Sequence, residues 1–551
     1  MAEVTEQTDL QVAAEPATVN GPASNGHDGD TTAGDETSLT RRAPRLPREA
    51  ASDIVALGGL MVLAGFLWGR GRGVWFWIDE GIAVGIASLP LADIPASLRL
   101  DGAPPLYYVL LNVWMSAFGA SEAATHTLSL LFAVLVLPAA LWAGWSLFGR
   151  RAGWFCAALA ALNPYLAYYA NETRMYSLVV LLVVLSTATF IHAFVYGRRR
   201  YLPAFVVALT LLAYTHSWGL LFGMGAGVAA AVCALVGRDR RRSVIDAVLA
   251  FGAVAVLYLP WVPTLLYQLA HDPNPWARRP TLIQIRDDVV FSFGGFEAMV
   301  AVGVGAFAAL VAILKRPSSR TALAVACMLA IPAVVLAGGW LSKVWAYRYL
   351  GVVVALLLLV FGLGLARGGS LATGMLVLTA VLTAPIGVKV PPYQKSNARE
   401  VAEAAAPQLG QGDLVVSPDY SQIPLLSYYL PSGPTYAGAH GTVDDVRVTD
   451  WRNSLERMRQ SDPSASLPPI IDQLEVGANV LLMCPQLESG PELVEFHDLV
   501  RQYCKETEAV LRSDARLALQ LSVEAPEGIT HTPFDGDLYV KESDGPGSSA
   551  G

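Results

Sequence analysis

Residues 75–108 read WFWIDEGIAVGIASLPLADIPASLRLDGAPPLYY, and the fold turns on how they are placed. They follow an apolar run at 54–68 and are too polar to form another. Asp79 and Glu80 stand beside Trp75, Phe76 and Trp77, and Asp101 precedes Pro104-Pro105-Leu106-Tyr107-Tyr108. Ionisable groups held against a bilayer are costly and usually mark function. Apolar and small residues over 81–98 permit a helix lying flat in the interface, which would bring the two acidic clusters together. The plain alternative is a solvated loop with surface charges. Asp-Glu directly after Trp-Ile is a poor place for those.

The rest of the chain says what lies on either side. Its 551 residues are 54% hydrophobic and only 15% charged, less charge than a soluble protein of this length carries. Mean hydropathy is +0.44, and many apolar runs approach or exceed the length of a membrane helix, so a multi-pass membrane protein is expected. The net charge of −8 is local: residues 1–40 hold eight acids and no Lys or Arg, which leaves 38 acids against 38 bases in the remainder. No basic surface points to nucleic acid. Cys156, Cys233 and Cys327 fall inside apolar runs and read as core, whereas Cys484 and Cys504 can pair if their region faces an oxidising compartment. There is no CxxC and no zinc-type spacing.

Residues 1–48 are expected to form a disordered acidic cytoplasmic tail, and a polar leader of that length excludes an ordinary cleavable signal peptide. Arg41, Arg42, Arg45 and Arg48 hold that end in the cytoplasm, so residues 75–108 emerge outside. Residues 105–118 are apolar but short for a span. Placed in the outer interface, they leave Arg150-Arg151, Arg198–Arg200, the arginines of 238–242, Lys315-Arg316 and Arg367 all on the inner side. About eleven spans result: 54–68, 126–148, 152–169, 176–196, 201–218, 219–236, 244–263, 289–314, 321–341, 349–366 and 370–387. The membrane domain is therefore expected over 49–390, an extracytoplasmic α/β domain over 391–543, and a Gly/Ser tail over 544–551. Helices near 397–406, 423–429 and 491–504, and strands near 413–417, 478–484, 514–523 and 537–541, make up the outer domain. No internal repeat is visible.

The outer connections collect Asp79, Glu80, Asp101, Glu172, Arg174, Tyr176, His216, Lys343 and Arg348. Carboxylates can take a proton from a hydroxyl, and arginine forks and lysine suit phosphate. The faces of Trp75, Trp77 and Tyr107 could stack on a sugar ring. Such a set suits a lipid-linked sugar phosphate, and a transporter vestibule could carry it too. Each residue also has a structural reading. Glu172 and Arg174 can pair with each other, His216 can cap a helix, Lys343 can anchor a helix at headgroups, and Arg278-Arg279 can be solvated loop.

Three motifs narrow the choice. Trp77-Ile-Asp79-Glu80, Asp101-Gly-Ala-Pro104-Pro105-Leu-Tyr107-Tyr108 and Asn163-Pro164-Tyr-x₃-Tyr169-x₂-Glu172-x-Arg174-x-Tyr176 occur in order. Together they resemble the polyprenyl-phosphate-sugar glycosyltransferases of the GT-C fold: glycosyltransferase family 39 and related bacterial mannosyl-, arabinosyl- and aminoarabinosyl-transferases. Thr215-His216-Ser-Trp-Gly219, Tyr258-Leu-Pro-Trp-Val-Pro263 and Tyr347-Arg348-Tyr349 resemble the later landmarks, and the likeness covers residues 52–390. It implies Asp79 as catalytic base, with Glu80 as its neighbour, orienting the acceptor or tuning Asp79, and Asp101 as a second acid near the site. It also implies Glu172 and Arg174 in donor binding, and Arg348 near the lipid phosphate, where it would stabilise leaving-group charge. Two positions depart. Ala103 stands where relatives often have a polar residue, which weakens a metal there. His126 stands where they often have Arg, which puts a structural ion pair in doubt.

The expectation is an α-helical multi-pass membrane protein of GT-C type, with about eleven transmembrane helices, interfacial helices in the first outer loop and a C-terminal soluble α/β domain. It would move a sugar from a polyprenyl phosphate to an extracytoplasmic glycan, lipid or protein by single displacement with inversion. No cofactor is required, and a divalent metal is allowed but not indicated. Three rivals stand beside this: a protein O-mannosyltransferase, a lipid or solute transporter, and an assembly protein that keeps the fold without the chemistry. Relatives of the first generally lack a long C-terminal α/β domain. The second calls for polar spans and a matched inverted repeat. The third would not need Asp79, Glu80, Asp101, Glu172 and Arg174 together.

Overall fold

The computed structural model describes residues 48–237, 239–271, 274–316, 319–388, 394–487 and 494–544. The acidic leader, Arg238, Pro391-Pro392 and the tail after Asp544 lie outside them.

Helix α1 (Arg48–Trp68) leads into the first connection, the outer loop in which helices are expected, though the break falls inside the 81–98 stretch. Two helices stand there, α2 (Ile78–Ala87) and α3 (Ile94–Asp101). Pro90 has no N–H to continue a helical ladder, and Ser88 closes α2 by donating its hydroxyl to the Gly85 carbonyl at 2.6 Å. Gly102, at φ +98°, ends α3 in the left-handed region and turns the chain into Pro104-Pro105. Helix α4 (Leu106–Phe118) has 13 residues, short for a span as expected.

Thirteen helices follow as the body of the bundle: α5 (Glu122–Phe148), α6 (Arg150–Ala161), α7 (Pro164–Tyr169), α8 (Tyr176–Phe190), α9 (Leu202–Thr215), α10 (Trp218–Val236), α11 (Arg240–Tyr258), α12 (Val262–Ala270), α13 (Leu282–Phe291), α14 (Phe296–Leu314), α15 (Arg320–Ser342), α16 (Gly351–Arg367) and α17 (Gly369–Val388). Eight helical segments among the described residues are long and apolar enough to cross a membrane. The span expected at 152–169 is broken instead: Asn163 accepts from the Leu166 N–H as an N-cap and Pro164 opens α7. That at 201–218 is the 14-residue α9. Helices α8 and α16 are the most enclosed of the spans, so they form the centre around which the others stand.

The connections fall into two sets by the residues they carry. Those after α5, α8, α10, α14 and α16 carry the Arg and Lys clusters. Two of these are tied down: Arg150 grips Asp53 through Nε and Nη2 at 2.9 and 2.7 Å, and Arg199 grips Asp246 at 2.5 Å. The connections after α7, α9, α11–α13 and α15 carry the aromatic and ionisable residues of the candidate site.

Beyond the bundle, α18 (Ala398–Ala405) and α19 (Ile423–Tyr429) accompany a six-stranded mixed sheet. Its strands are β1 (Leu414–Val416), β2 (Thr435–Gly438), β3 (Gly441–Thr442), β4 (Asn479–Pro485), β5 (Leu517–Val523) and β6 (Phe534–Lys541), in the order β3-β2-β1-β4-β6-β5. Strand β1 lies parallel to β2 and β4, and the remaining pairs are antiparallel. Helix α20 (Glu495–Ser513) covers one face, and its Cys504 is disulfide-bonded to Cys484 of β4.

This region presses on α2. A Cβ added at Gly81 would lie 2.6 Å from Leu425 Cα, and one at Gly85 would lie 2.6 Å from the Arg447 carbonyl oxygen. Only glycine lets α2 approach α19 and the 447 backbone this closely. The helix that carries Asp79 is thus clamped between bundle and sheet.

Candidate active site

A cavity of about 530 Å³ opens where α2, α10, α12 and the connections 101–104, 174–175, 274–276 and 342–349 converge. Its lining is mixed. Leu220, Leu221 and Met224 from α10, with Trp261, Leu265 and Leu269, give it apolar wall. Asp79, Asp101, Arg174, His216 and Arg348 line it as well. Five residues spread over 270 positions of sequence therefore share one wall system.

Among these, Asp79 Oδ2 lies 3.3 Å from Arg348 Nε and 4.0 Å from Arg174 Nε. These are ion-pair distances without hydrogen-bond alignment: all three atoms are buried and none has a hydrogen-bond partner. Unmet capacity at buried charged atoms is rare and calls for a ligand or water to complete it. Arg348 is held by its surroundings, its guanidinium 4.9 Å from the centre of the Trp276 ring and its carbonyl accepting from the Tyr165 hydroxyl at 2.5 Å. Arg174 donates to the Asp79 carbonyl at 3.2 Å and to the Tyr108 hydroxyl at 3.1 Å, and that hydroxyl points on to Asp101 Oδ2 at 3.5 Å. Burial raises the Asp101 carboxyl to about 6, with Arg174 opposing and Asp79 reinforcing the shift. His216 does cap a helix, since its Nδ1 accepts from the Trp218 N–H at 3.1 Å, and it also lines the cavity. Burial, with Arg174 and Arg348 close by, pushes it down to about 3, so it is neutral.

Glu80, one residue from Asp79, faces the other way. Its Oε1 meets His126 Nε2 at 2.6 Å and the Thr173 N–H at 2.7 Å, and its Oε2 meets Lys395 Nζ at 2.8 Å. Burial alone would raise this carboxyl, but Lys395 and His126 outweigh it and hold it low. Both His126 nitrogens lie against oxygen atoms, Nε2 against Glu80 and Nδ1 against the Arg72 carbonyl at 2.8 Å. Glu172 is buried beside this cluster with neither carboxylate oxygen hydrogen-bonded. Burial raises it, with Glu80 and Asp79 adding to the shift against Lys395. It does not pair with Arg174.

The remaining expected residues lie off the cavity wall. Tyr107 is fully buried with its hydroxyl 3.1 Å from Ser129 Oγ, and Tyr176 packs between Tyr169 and His216 with its hydroxyl unpartnered. Lys343 is exposed: at φ +60° it ends α15 in the left-handed region and does not line the cavity between its neighbours Ser342 and Val344. Trp75 and Trp77 are likewise not in the lining. Trp77 lies against His531 at 4.5 Å, and Trp75 is covered by Arg399. The aromatic faces that do line the cavity are Trp218, Tyr258, Trp261, Trp276, Tyr349 and Trp451.

Several of these contributors were invisible in the sequence. Trp451 comes from the sheet region, fixed by its N–H on the Leu100 carbonyl at 3.1 Å. Lys395 reaches Glu80 across 315 residues. Its one available signal was scarcity, as one of six lysines in the chain.

No family model and no curated protein sequence matches the chain. Solved structures do. ArnT from Cupriavidus metallidurans in the apo state aligns over 89% of this chain and 98% of its own, at 15% identity and TM-score 0.59. The same enzyme bound to undecaprenyl phosphate aligns over 91% and 99%, at 15% identity and TM-score 0.57. The arabinofuranosyltransferase AftD from mycobacteria aligns over 91% of this chain and 42% of its own, at 15% identity and TM-score 0.51. At that identity the likeness speaks to the fold: the chain is a multi-pass membrane protein with the GT-C fold.

Proposed function

We propose that this chain is a membrane glycosyltransferase that takes a sugar from a polyprenyl monophosphate and passes it to an acceptor hydroxyl. The observation that carries the reading is one cavity lined both by unpartnered Asp79, Arg174 and Arg348 atoms and by apolar wall. A phosphate answers the arginines and a hydrocarbon chain answers Leu220, Leu221, Met224, Leu265 and Leu269. The shared fold with an ArnT structure that holds undecaprenyl phosphate supports the same ligand class.

In this reading Asp79 accepts the proton of the acceptor hydroxyl as its oxygen attacks the anomeric carbon. The bond from that carbon to the phosphate oxygen breaks on the opposite side, the phosphate leaves with the electron pair, and the configuration inverts. Arg348 and Arg174 take up the charge gained by the leaving phosphate. A bound donor phosphate would stand against the same two guanidinium groups, beside the carboxylate. The displacement as written uses no cofactor.

The same reading gives an orientation. The Arg-bearing connections face the cytoplasm, and the Cys484–Cys504 disulfide suits an oxidising compartment, so the cavity and sheet region lie outside the plasma membrane. The membrane domain then ends near residue 390, and the acceptor is an envelope glycan, lipid or protein.

The test is a panel of polyprenyl-phosphate sugars offered to the full chain in lipid with envelope acceptors. Release of polyprenyl phosphate together with an inverted glycoside from one donor is expected. Binding of the lipids with no transfer across the whole panel would move the reading to a transporter or assembly protein.

A further inference from the structure

Lys395 is the first charged residue of the described chain after the bundle, and it is 2% exposed. Its ammonium donates to Glu80 Oε2 and to the Asn171 carbonyl, both at 2.8 Å. An ammonium taken out of water costs several kcal/mol, so burial this complete is sustained only by close partners. The backbone around it is fastened to the sheet region. The Lys395 carbonyl accepts from the N–H groups of His531 and Thr532 at 3.1 and 3.0 Å, and Asn397 exchanges two hydrogen bonds with Phe534 at 2.9 and 2.7 Å. The same segment reaches the first connection twice more. Gln394 accepts from the Trp75 N–H at 2.8 Å, and His531 lies on Trp77.

The three residues that lead into α2, Trp75, Phe76 and Trp77, are therefore each held from the sheet side. Trp75 is bonded to Gln394, Phe76 donates its N–H to the Tyr429 hydroxyl at 2.8 Å, Trp77 lies on His531 and Glu80 meets Lys395. Asp79 sits inside this run, in the first turn of α2. Asp79 and Glu80 share one turn of helix, so a backbone shift at Glu80 carries Asp79 with it.

We propose that Lys395 is a positioning residue: the sheet region supplies, through this one ammonium, the charge that anchors buried Glu80 and thereby aims Asp79 into the cavity. The sheet region is then part of the working site and not an accessory. This rests on the transferase reading of Asp79 for its functional consequence, though the anchoring itself can be read without activity.

The experiment uses the full chain in lipid with Lys395→Met, Lys395→Arg, Glu80→Gln and the double variant Glu80→Gln/Lys395→Met. Transfer kinetics, melting and amide hydrogen exchange over residues 77–87 are measured on each. Lys395→Met is expected to lower kcat roughly 10- to 100-fold, the scale of a small misplacement of a reacting group, with donor KM nearly unchanged. Exchange in α2 should accelerate. Lys395→Arg, which keeps the charge, should recover most of kcat and of the protection. In the double variant the two losses should not add, because both act through one contact. Unchanged kcat and unchanged α2 exchange in Lys395→Met would overturn the proposal. So would fully additive losses, or an Arg variant as defective as Met despite normal melting. If the wild type transfers from no donor, the transferase reading fails on that result alone, while the exchange data still decide whether Lys395 anchors α2.

Discussion

Asp79 and Glu80 are adjacent in sequence and opposite in circumstance. Glu80 is enclosed, and its two oxygens are met by His126, Thr173 and Lys395 at 2.6 to 2.8 Å. Asp79 faces the cavity with two arginines close by and its outer oxygen unbonded. The first turn of α2 thus has a finished side and an unfinished one. A carboxylate with its oxygens answered reads as a structural member; in the proposed function, the one left short beside two arginines is the base. Two identical functional groups, one helical step apart, are divided by what surrounds them.

The sharpest break in this contrast is Glu80→Gln. It leaves the Lys395 ammonium buried without its anion, and removing one partner of a buried pair costs about 3–5 kcal/mol. A large drop in melting midpoint is expected by thermal unfolding in lipid. Next comes Gly81→Ala, whose added Cβ meets Leu425 backbone at 2.6 Å. Overpacking of this kind costs about 1–3 kcal/mol. Because the clash lies between α2 and α19, stability and transfer should fall together, which distinguishes it from a change on the cavity side.

A smaller effect sharpens the cavity side. The carboxyl of Asp101 sits at about 6 in the folded protein, above the ordinary carboxylate value of 3.8. Between those values the folded form binds more protons than the unfolded one, so stability falls as pH rises through that window. Wild type should lose melting temperature between about pH 4 and pH 6 relative to Asp101→Asn, which lacks the titrating group. The smallest effect belongs to Lys343→Ala. An exposed side chain outside the cavity should change stability by no more than about 0.5 kcal/mol and leave transfer unchanged in the same assays.

How far the sequence reached follows the same division. Asp79, Asp101, Arg174, His216 and Arg348 were legible because ionisable and aromatic residues in short connections between apolar spans have few reasons to be there, and all five line one cavity. Lys343 has the same local appearance; its left-handed backbone turns it away, and nothing in the letters shows that. The His126 departure looked like a lost ion pair, yet the histidine itself bonds Glu80 and Lys395 arrives from 315 residues downstream to join it. Pairing at that distance has no local signature. In the sheet region, β1 and β4 stood out as apolar runs, whereas β2 and β3, four and two residues long, are too short to carry a period. The break at Asn163-Pro164 was written in the sequence as a cap and a proline, and was hidden by the apolar residues around it.

The division between the two carboxylates is tested most directly by single-turnover transfer with Asp79→Asn, in protein whose melting and affinity for polyprenyl phosphate are measured alongside. The expected result is a fall of about 10²- to 10⁴-fold in the transfer step, the usual contribution of a general base, with lipid affinity retained and melting within a few degrees of wild type. Transfer at the wild-type rate would contradict it, and would take the base away from the unfinished side of α2.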